Sequence, residues 1–471
     1  MTTSDIYSYD HLPASSLFDG KLPKKVPSKS TLITELEELV AFPQSDYEKP
    51  DGEFTVLLDF MSRARAPSFP SSVKTFGDFL VWTLSVFEQF DVTNCHIIRD
   101  SYVECSLKAA ERLRRGAGIE PLKYDDEDIT PDLPLPEDMA AFWQHPPNKV
   151  QLQMRMKDGV ASGSLLLNLD SIVSGITTDT ERTPAVQFQA EDSDQIQHEL
   201  INDLALDIEE ADDRIIPHCF YDVRRGLKRF MVLSNDTDTM VHLLYHVSEL
   251  VRLGATHVFC LFGIGENKRW LPLHKFYQAL GEQKCKTVLK AHILSGDDVL
   301  SKIGTKKAAL SCEPVKYISS FAEAELCEAD LWLAEEYLVK VWAGIRSKTI
   351  CRTFNQLRLY EYTSSKDAKP LESLPPTSST IRAHLVRAHS LIRKVTYLNL
   401  SNELESNDDQ SGWVWESGFL LPAMCLNKMP TDITVMCKCQ GKCKTKGCAC
   451  RDLKQSCTIF CHKKKSACEN K

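Results

Sequence analysis

The 471-residue sequence contains no apolar run approaching the roughly 18 residues that a membrane-spanning helix requires, so no membrane partner is expected. Its first residues, MTTSDIYSYDHL, have neither a basic flank nor an apolar stretch, and no secretory signal is read there. The expected location is the nucleus, with the cytoplasm as the alternative. No internal repeat is visible. A P-loop is also lacking: GIGENK (263–268) has glycines at the wrong spacing and reads as a plain turn. Cysteine usage does not suggest a disulfide scaffold. Nine of the 17 cysteines are scattered singly over residues 1–436, as small buried apolar side chains are, and eight crowd into the last 35 residues.

What is present is ordinary in bulk. With 43% hydrophobic and 26% charged residues the chain can bury a sizeable core, and its length suits two or three domains. Charge is divided unevenly. Residues 437–471 hold ten Lys or Arg against two acids, a net +8, so the total of −9 leaves −17 on residues 1–436. A basic tail on an acidic body points to an appendage that faces nucleic acid.

Residues 1–52 form a variable segment with a helical signal at LITELEELV (32–40). An α/β body is expected over 53–310, with an insertion at 116–200. FTVLLD (54–59), NCHIIRD (94–100), FMVLSNDTD (230–238) and AHILSGDD (291–298) contain apolar runs too short for helices, which read as strands buried on both faces. THVFCLFG (256–263) reads the same way. Helical spacing marks 73–90, a start around ELINDLALDIEEADDRIIPHCF (199–220), then 239–254, 321–345 and 380–398. DDEDITPDLPLPED (125–138) is a proline-punctuated loop that no sheet would accept. Residues 148–200 are ambiguous, with a strand or two in VASGSLLLNLDSIV (160–173) and then a polar loop. Residues 311–400 are a helical region containing a linker or loop at 363–380, with KPLESLPPTSS, and 401–436 are a linker whose first part, 401–412, is polar and flexible.

Acids occur at or after four of these runs and at one further place: Asp59, Asp100, Glu210 with Asp212, Asp236 with Asp238, and Asp298. A lone Asp after a strand is usually a turn former or a helix cap. The ordered set suggests more, because residues at the carboxyl ends of neighbouring parallel strands converge in space. Converging carboxylates make a cage for Mg²⁺ or Mn²⁺, hard cations that prefer oxygen. After Asp100, SLKAAERLRR (106–115) puts Lys108, Arg112 and Arg115 on one helical face. That face is either a solvated basic surface or a grip for phosphate.

In this order and local context the residues resemble the flap-endonuclease (XPG/PIN-like) nucleases. That family has an Asp after its first strand and an Asp followed by a Lys/Arg-rich helix. It continues with an E-A-E helix start, a D-x-D strand end, and a G-x-D leading into a G-I-G-x-K helix–two-turn–helix. The matching positions here are Asp59; Asp100 with Lys108, Arg112 and Arg115; Glu210 and Asp212; Asp236 and Asp238; and Asp298 with Ile303, Gly304, Thr305 and Lys306. Asp212 stands where the family has Glu, and KIGTKK lacks the first glycine. More closely, EEADDR (209–214), LSNDTD (233–238), GDDVLSKIGTKKA (296–308) and LPPTS (374–378) are similar to a group of uncharacterised invertebrate proteins associated with mobile elements. That group often has Cys where this chain has Asp297.

The resemblance implies a PIN-like three-layer α/β/α fold with a mostly parallel sheet, and a two-metal site for phosphodiester hydrolysis. Asp236, Asp238 and Asp298 would hold one Mg²⁺ or Mn²⁺, and Asp59, Asp100, Glu210 and Asp212 the other or both. Lys108 and Arg112 would bear the charge developing on the phosphate. Arg115, Gly304, Thr305, Lys306 and Lys307 would contact DNA away from the cut, the substrate being a flap, a branch or a junction of single strand and duplex.

The tail reads Cys437-x-Cys439-x3-Cys443-x4-Cys448-x-Cys450-x6-Cys457-x3-Cys461, with His462 and Cys468 beyond. Thiols this dense inside a cell are zinc ligands. The pattern resembles half of a tesmin-type CXC domain, which implies two or three Zn²⁺ and a DNA-binding role. Lys438, Lys442, Lys444, Lys446 and Arg451 would then meet phosphates. Lys463 replaces one cysteine of that family.

The expectation is therefore a metal-dependent, structure-selective DNA nuclease with a zinc-binding tail. One rival is a catalytically inactive PIN-like protein that binds DNA or chromatin, which would gain nothing from keeping mutually repelling carboxylates. Another is an RNA-cleaving PIN nuclease, which the duplex-DNA signals disfavour.

Overall fold

The computed structural model describes residues 16–19, 22–66, 68–102, 108, 118–124, 129–165, 170–175, 183–189, 197–347, 349–364, 373–399, 412–416, 419–423, 437, 439, 442–445, 447–454, 457 and 468–470. The chain divides into two compact units. One comprises residues 28–292 with 391–406, and the other 1–27, 293–390 and 407–471. The sequence reading had drawn a body over 53–310.

The first unit is built on an eight-stranded sheet: β1 (Phe54–Asp59), β2 (Val92–Ile98), β3 (Ser171–Ser174), β4 (Thr183–Gln189), β5 (Gln197–Leu206), β6 (Arg229–Leu233), β7 (His257–Phe262) and β8 (Arg269–Pro272). Its order is β8-β7-β6-β1-β2-β3-β4-β5. The five strands from β7 to β3 run parallel, and β8, β4 and β5 pair antiparallel at the edges. All six residues of β1 are buried, as its uninterrupted apolar run requires of a central strand covered on both faces. Helices α1 (Thr31–Val40), α2 (Phe76–Leu84), α3 (Pro146–Ala161), α4 (Ala211–Arg224), α5 (Thr237–Arg252) and α6 (Leu273–Leu280) accompany the sheet. Phe54, Val56 and Leu58 of β1 join Phe76, Phe79, Leu152 and Met156 of α2 and α3 in one core. The alternate side chains point to the opposite face, where α4 packs on β1 and β2. The result is a layered α/β/α arrangement around a mostly parallel sheet.

The expected strands at 54–59, 94–100, 230–238 and 256–263 are present, and GIGENK holds a short 3₁₀ turn between β7 and β8. AHILSGDD is not a strand: AHIL is the end of helix α7 (Glu282–Leu294). The helix expected from 199 begins only at Ala211, and its first part is strand β5, with Ile201, Leu204 and Leu206 buried. The ambiguous 148–200 region holds most of α3, then β3 and β4, the last within what was read as a polar loop.

The second unit contains α8 (Lys306–Ser311), α9 (Glu328–Ala343), α10 (Phe354–Ser364) and most of α11 (Ser378–Thr396). The expected helix over 321–345 starts seven residues later. LPPTS is packed rather than exposed. Leu374 and Thr377 are buried, and Thr377 Oγ1 accepts the Thr380 N–H at 3.1 Å to start α11. Among the described residues no helix is long and apolar enough to cross a membrane.

Candidate metal centre

Three adjacent parallel strands, β6, β1 and β2, end in acids, and the first turns of α4 and α5 supply the rest. Asp59 closes β1 and caps the short helix Phe60–Ala64: Oδ1 accepts the Ser62 N–H at 2.9 Å and Oδ2 the Ser234 hydroxyl at 3.1 Å. The capping role and a place in the acidic cluster therefore coexist. Burial, with Asp100 and Asp236 nearby, pushes the Asp59 carboxyl up to about 7 despite those two hydrogen bonds.

Asp100, two residues beyond β2, accepts the Ala211 N–H at 3.0 Å and so fixes the start of α4 against the end of its strand. Glu210 is the N-cap residue of α4 but makes no side-chain cap, since its carboxylate pairs with Lys108 instead. Burial raises Glu210 to about 7 even though Lys108 opposes it. Asp212 and Asp213 occupy the first helical turn, where the positive end of the helix dipole favours carboxylates. Burial and then Glu210 nevertheless hold Asp212 well above the usual carboxylate range.

Asp236 caps α5 by accepting the Asp238 N–H at 2.9 Å. Asp238 Oδ2 lies 2.8 Å from Lys29 Nζ and its Oδ1 2.8 Å from His292 Nε2. Burial works to raise Asp238, but Lys29 and His292 outweigh it and hold the group well below its ordinary value. Asp213 is lowered in the same manner, burial being outweighed by Lys394 at 3.1 Å and His242 at 3.1 Å.

Two sets of ligand atoms result. Carboxylate oxygens of Asp212, Asp236 and Asp238 lie within 4.8 Å of one another, as do those of Glu210, Asp212 and Asp213. Asp212 belongs to both. Close carboxylates are what a divalent cation neutralises, and burial, with neighbouring carboxylates adding to it, raises Asp59, Glu210 and Asp212. The donor set fits Mg²⁺ or Mn²⁺.

The sequence reading missed Asp213, Lys29, His242, His292 and Lys394. Asp213 is adjacent to Asp212, a spacing that gave no reason to choose both. Lys29 and Lys394 lie outside the expected 53–310 body, and His292 sat in a run read as a strand. Arg112 and Arg115 lie outside the described residues.

Asp298 belongs to the other compact unit, in the turn after α7. Its neighbour Asp297 is a turn former, with Oδ1 accepting the Val299 and Leu300 N–H groups at 2.8 and 2.7 Å. Lys306, expected at a phosphate, instead buries its ammonium, which donates to Ser295 Oγ at 3.0 Å and to the Gly296 carbonyl. Thr305 caps α8 by accepting the Ala308 N–H at 3.1 Å. Gly304 has φ 64°, and a Cβ there would lie 2.4 Å from the Val341 carbonyl oxygen, so packing alone demands a glycine. Lys307 is exposed.

In the tail, the sulfurs of Cys437, Cys443, Cys448 and Cys457 lie within 4.8 Å of one another and form no disulfide. Three Sγ–Sγ separations are 3.8, 3.8 and 3.6 Å. A tetrahedron with Zn–S of about 2.3 Å has edges of about 3.8 Å, so the four thiols fit one zinc ion. The Arg451 N–H helps lower the Cys448 thiol to about 6. Cys439, Cys450 and Cys468 pack in the same cluster. Lys444 Nζ is 3.0 Å from Glu469, Lys442 Nζ is 3.8 Å from it, and Arg451 donates to the Cys443 carbonyl at 3.1 Å. Cys461, His462, Lys438 and Lys446 lie outside the described residues. No protein-family model and no curated protein matches the chain, so the reading of both sites rests on their own geometry.

Proposed function

We propose that this chain is a divalent-metal-dependent, structure-selective DNA nuclease of the PIN-like, flap-endonuclease kind, acting in the nucleus, with a zinc-holding tail that adds DNA affinity. The observation that carries the reading is the placement of Asp212 in two carboxylate groups at once, one with Asp236 and Asp238 and one with Glu210 and Asp213. A shared carboxylate is what two neighbouring ions require. Mg²⁺ or Mn²⁺ bound there supplies Lewis acidity, ionising water near neutral pH and offsetting charge on the leaving oxygen of a phosphodiester.

The chain's own residues prepare for that chemistry. His292 orients Asp238 and, with Lys29, holds its carboxyl well below the ordinary range, a hydrogen-bonded support of the kind found behind metal-ligating carboxylates. Asp100 fixes the start of α4, the turn that carries Glu210, Asp212 and Asp213, against the end of β2. Lys108, one-fifth exposed beside Glu210, is a cation that would meet a substrate phosphate. The cysteine tail holds Zn²⁺ through Cys437, Cys443, Cys448 and Cys457, with Cys439, Cys450, Cys461 and Cys468 available for a second or third ion. The experiment is a cleavage panel with Mg²⁺ or Mn²⁺ on flap, hairpin, duplex and single-stranded DNA and on RNA. Metal-dependent cutting of branched DNA supports the reading; preference for RNA moves the substrate class, and no cutting of any substrate overturns it.

A further inference from the structure

Lys394 is a lysine that reaches the carboxylate cluster from far along the chain. It lies near the end of α11, its Nζ 3.1 Å from Asp213 Oδ2, and 43% of its side chain is exposed. Lys108 stands in the same relation to Glu210, with 21% of its side chain exposed. Each lysine therefore neutralises one acid of the Glu210–Asp212–Asp213 trio while keeping a solvent-facing part. A lysine needed only to neutralise Asp213 could be buried, as His242 is on that carboxylate's other oxygen. Lysine also has four flexible methylenes, so its ammonium can leave one anion for another nearby.

We infer that Lys394 is a catalytic residue: its ammonium binds a non-bridging oxygen of the phosphodiester being cut, as a second cation beside Lys108. This rests on the nuclease reading and extends it. With the trio's carboxylates engaged by divalent ions, Asp213 no longer needs the ammonium, which turns to the substrate. Charge on the phosphate oxygens grows toward the transition state, so the contact acts on the rate more than on ground-state affinity.

The test uses the full chain and four measurements: thermal melting, Mn²⁺ binding by electron paramagnetic resonance, affinity for flap DNA in Ca²⁺, and single-turnover cleavage at saturating DNA. The variants are Lys394→Met, Lys394→Gln, which keeps a donor for Asp213, and Lys394→Arg, which keeps the charge. The expected result is a loss of about 100-fold in cleavage rate for Met and Gln. Mn²⁺ affinity should be unchanged or tighter, DNA affinity should fall no more than about 3-fold, and Arg should recover most of the rate. Cleavage by Lys394→Gln within about 3-fold of the unaltered chain overturns the inference and leaves the nuclease reading standing. So does a loss of rate matched by a loss of Mn²⁺ binding, which marks Lys394 as a support for Asp213 alone. An unaltered chain that binds no Mn²⁺ and cuts nothing overturns both.

Discussion

Lys29 and Asp238 are 209 residues apart in sequence, and their side chains meet at 2.8 Å. The same ammonium lies 3.8 Å from Asp236 Oδ1, so it draws on two carboxylates that a divalent ion would also need. Lys29→Met should lower the melting temperature without metal, because Asp238 loses the strongest of the charges that oppose its burial. It should enlarge the stabilisation given by Mg²⁺ and tighten Mg²⁺ binding several-fold. Titrations of the variant and the unaltered chain that superimpose would contradict this.

A pH dependence follows from the two carboxyls raised to about 7. Asp59, ordinarily 3.8, faces Asp100 and Asp236, and Glu210, ordinarily 4.5, faces Asp213 against Lys108 and Lys394. Between about pH 4 and about pH 7 these two carboxyls hold protons in the metal-free native state that the unfolded chain has released, so their contribution to stability falls as pH rises through that window. His218, His246, His257, His274 and His384, all held below their ordinary value by burial, pull the other way below about pH 6.5, so the carboxyl contribution is read by difference. Glu210→Gln should shift the melting-temperature difference between about pH 5.5 and about pH 8 toward greater relative stability at pH 8 than in the unaltered chain, and excess Mg²⁺ should do the same to the unaltered chain. Melting curves at the two pH values, with and without Mg²⁺, measure it.

Deeper under α4, Asp222 Oδ2 lies 2.7 Å from His96 Nε2, and His96 Nδ1 lies 2.7 Å from His218 Nδ1, with all three side chains buried. Burial, then His96, holds His218 well below its ordinary value. Asp222→Ala leaves His96 without its anion and should cost about 3 kcal/mol in urea unfolding. A cost below about 1 kcal/mol would show that the network does not fasten α4 to β2.

Much of this was legible in advance. The strands FTVLL, HII, FMVL and HVFCLF announce themselves as short apolar runs, and acids at their carboxyl ends converge because parallel strands share a direction. AHIL was misread because four apolar residues fit a strand or a helix equally. The helical period appears only when Cys285, Val288, Leu289 and His292 are taken together. Lys29, His292 and Lys394 were invisible for another reason: which distant cation neutralises an acid depends on packing that leaves no local pattern. Lys306 shows the converse, a lysine whose sequence context suggested phosphate and whose ammonium is spent on its own backbone.

The tail has few apolar side chains apart from its cysteines, so zinc must supply what a hydrophobic core otherwise would. Native mass spectrometry should find at least one Zn²⁺ per chain, lost on changing Cys437 and Cys443 to Ser together. Removing residues from 437 onward should weaken DNA binding and flatten its salt dependence while leaving single-turnover cleavage nearly intact. Zinc content unchanged in the double Ser variant would place the metal elsewhere.

The most direct test of the two-group carboxylate centre is single-turnover cleavage of flap DNA across a Mg²⁺ titration, comparing the unaltered chain with the double variant Asp236→Ala, Asp238→Ala. The double variant should remain folded and bind DNA, and its cleavage should fall by at least about 1,000-fold at every Mg²⁺ concentration, since two of the three carboxylates in the Asp212–Asp236–Asp238 group are gone. Cleavage by the double variant at the rate of the unaltered chain would show that the chemistry, if any, is done somewhere other than at these strand ends.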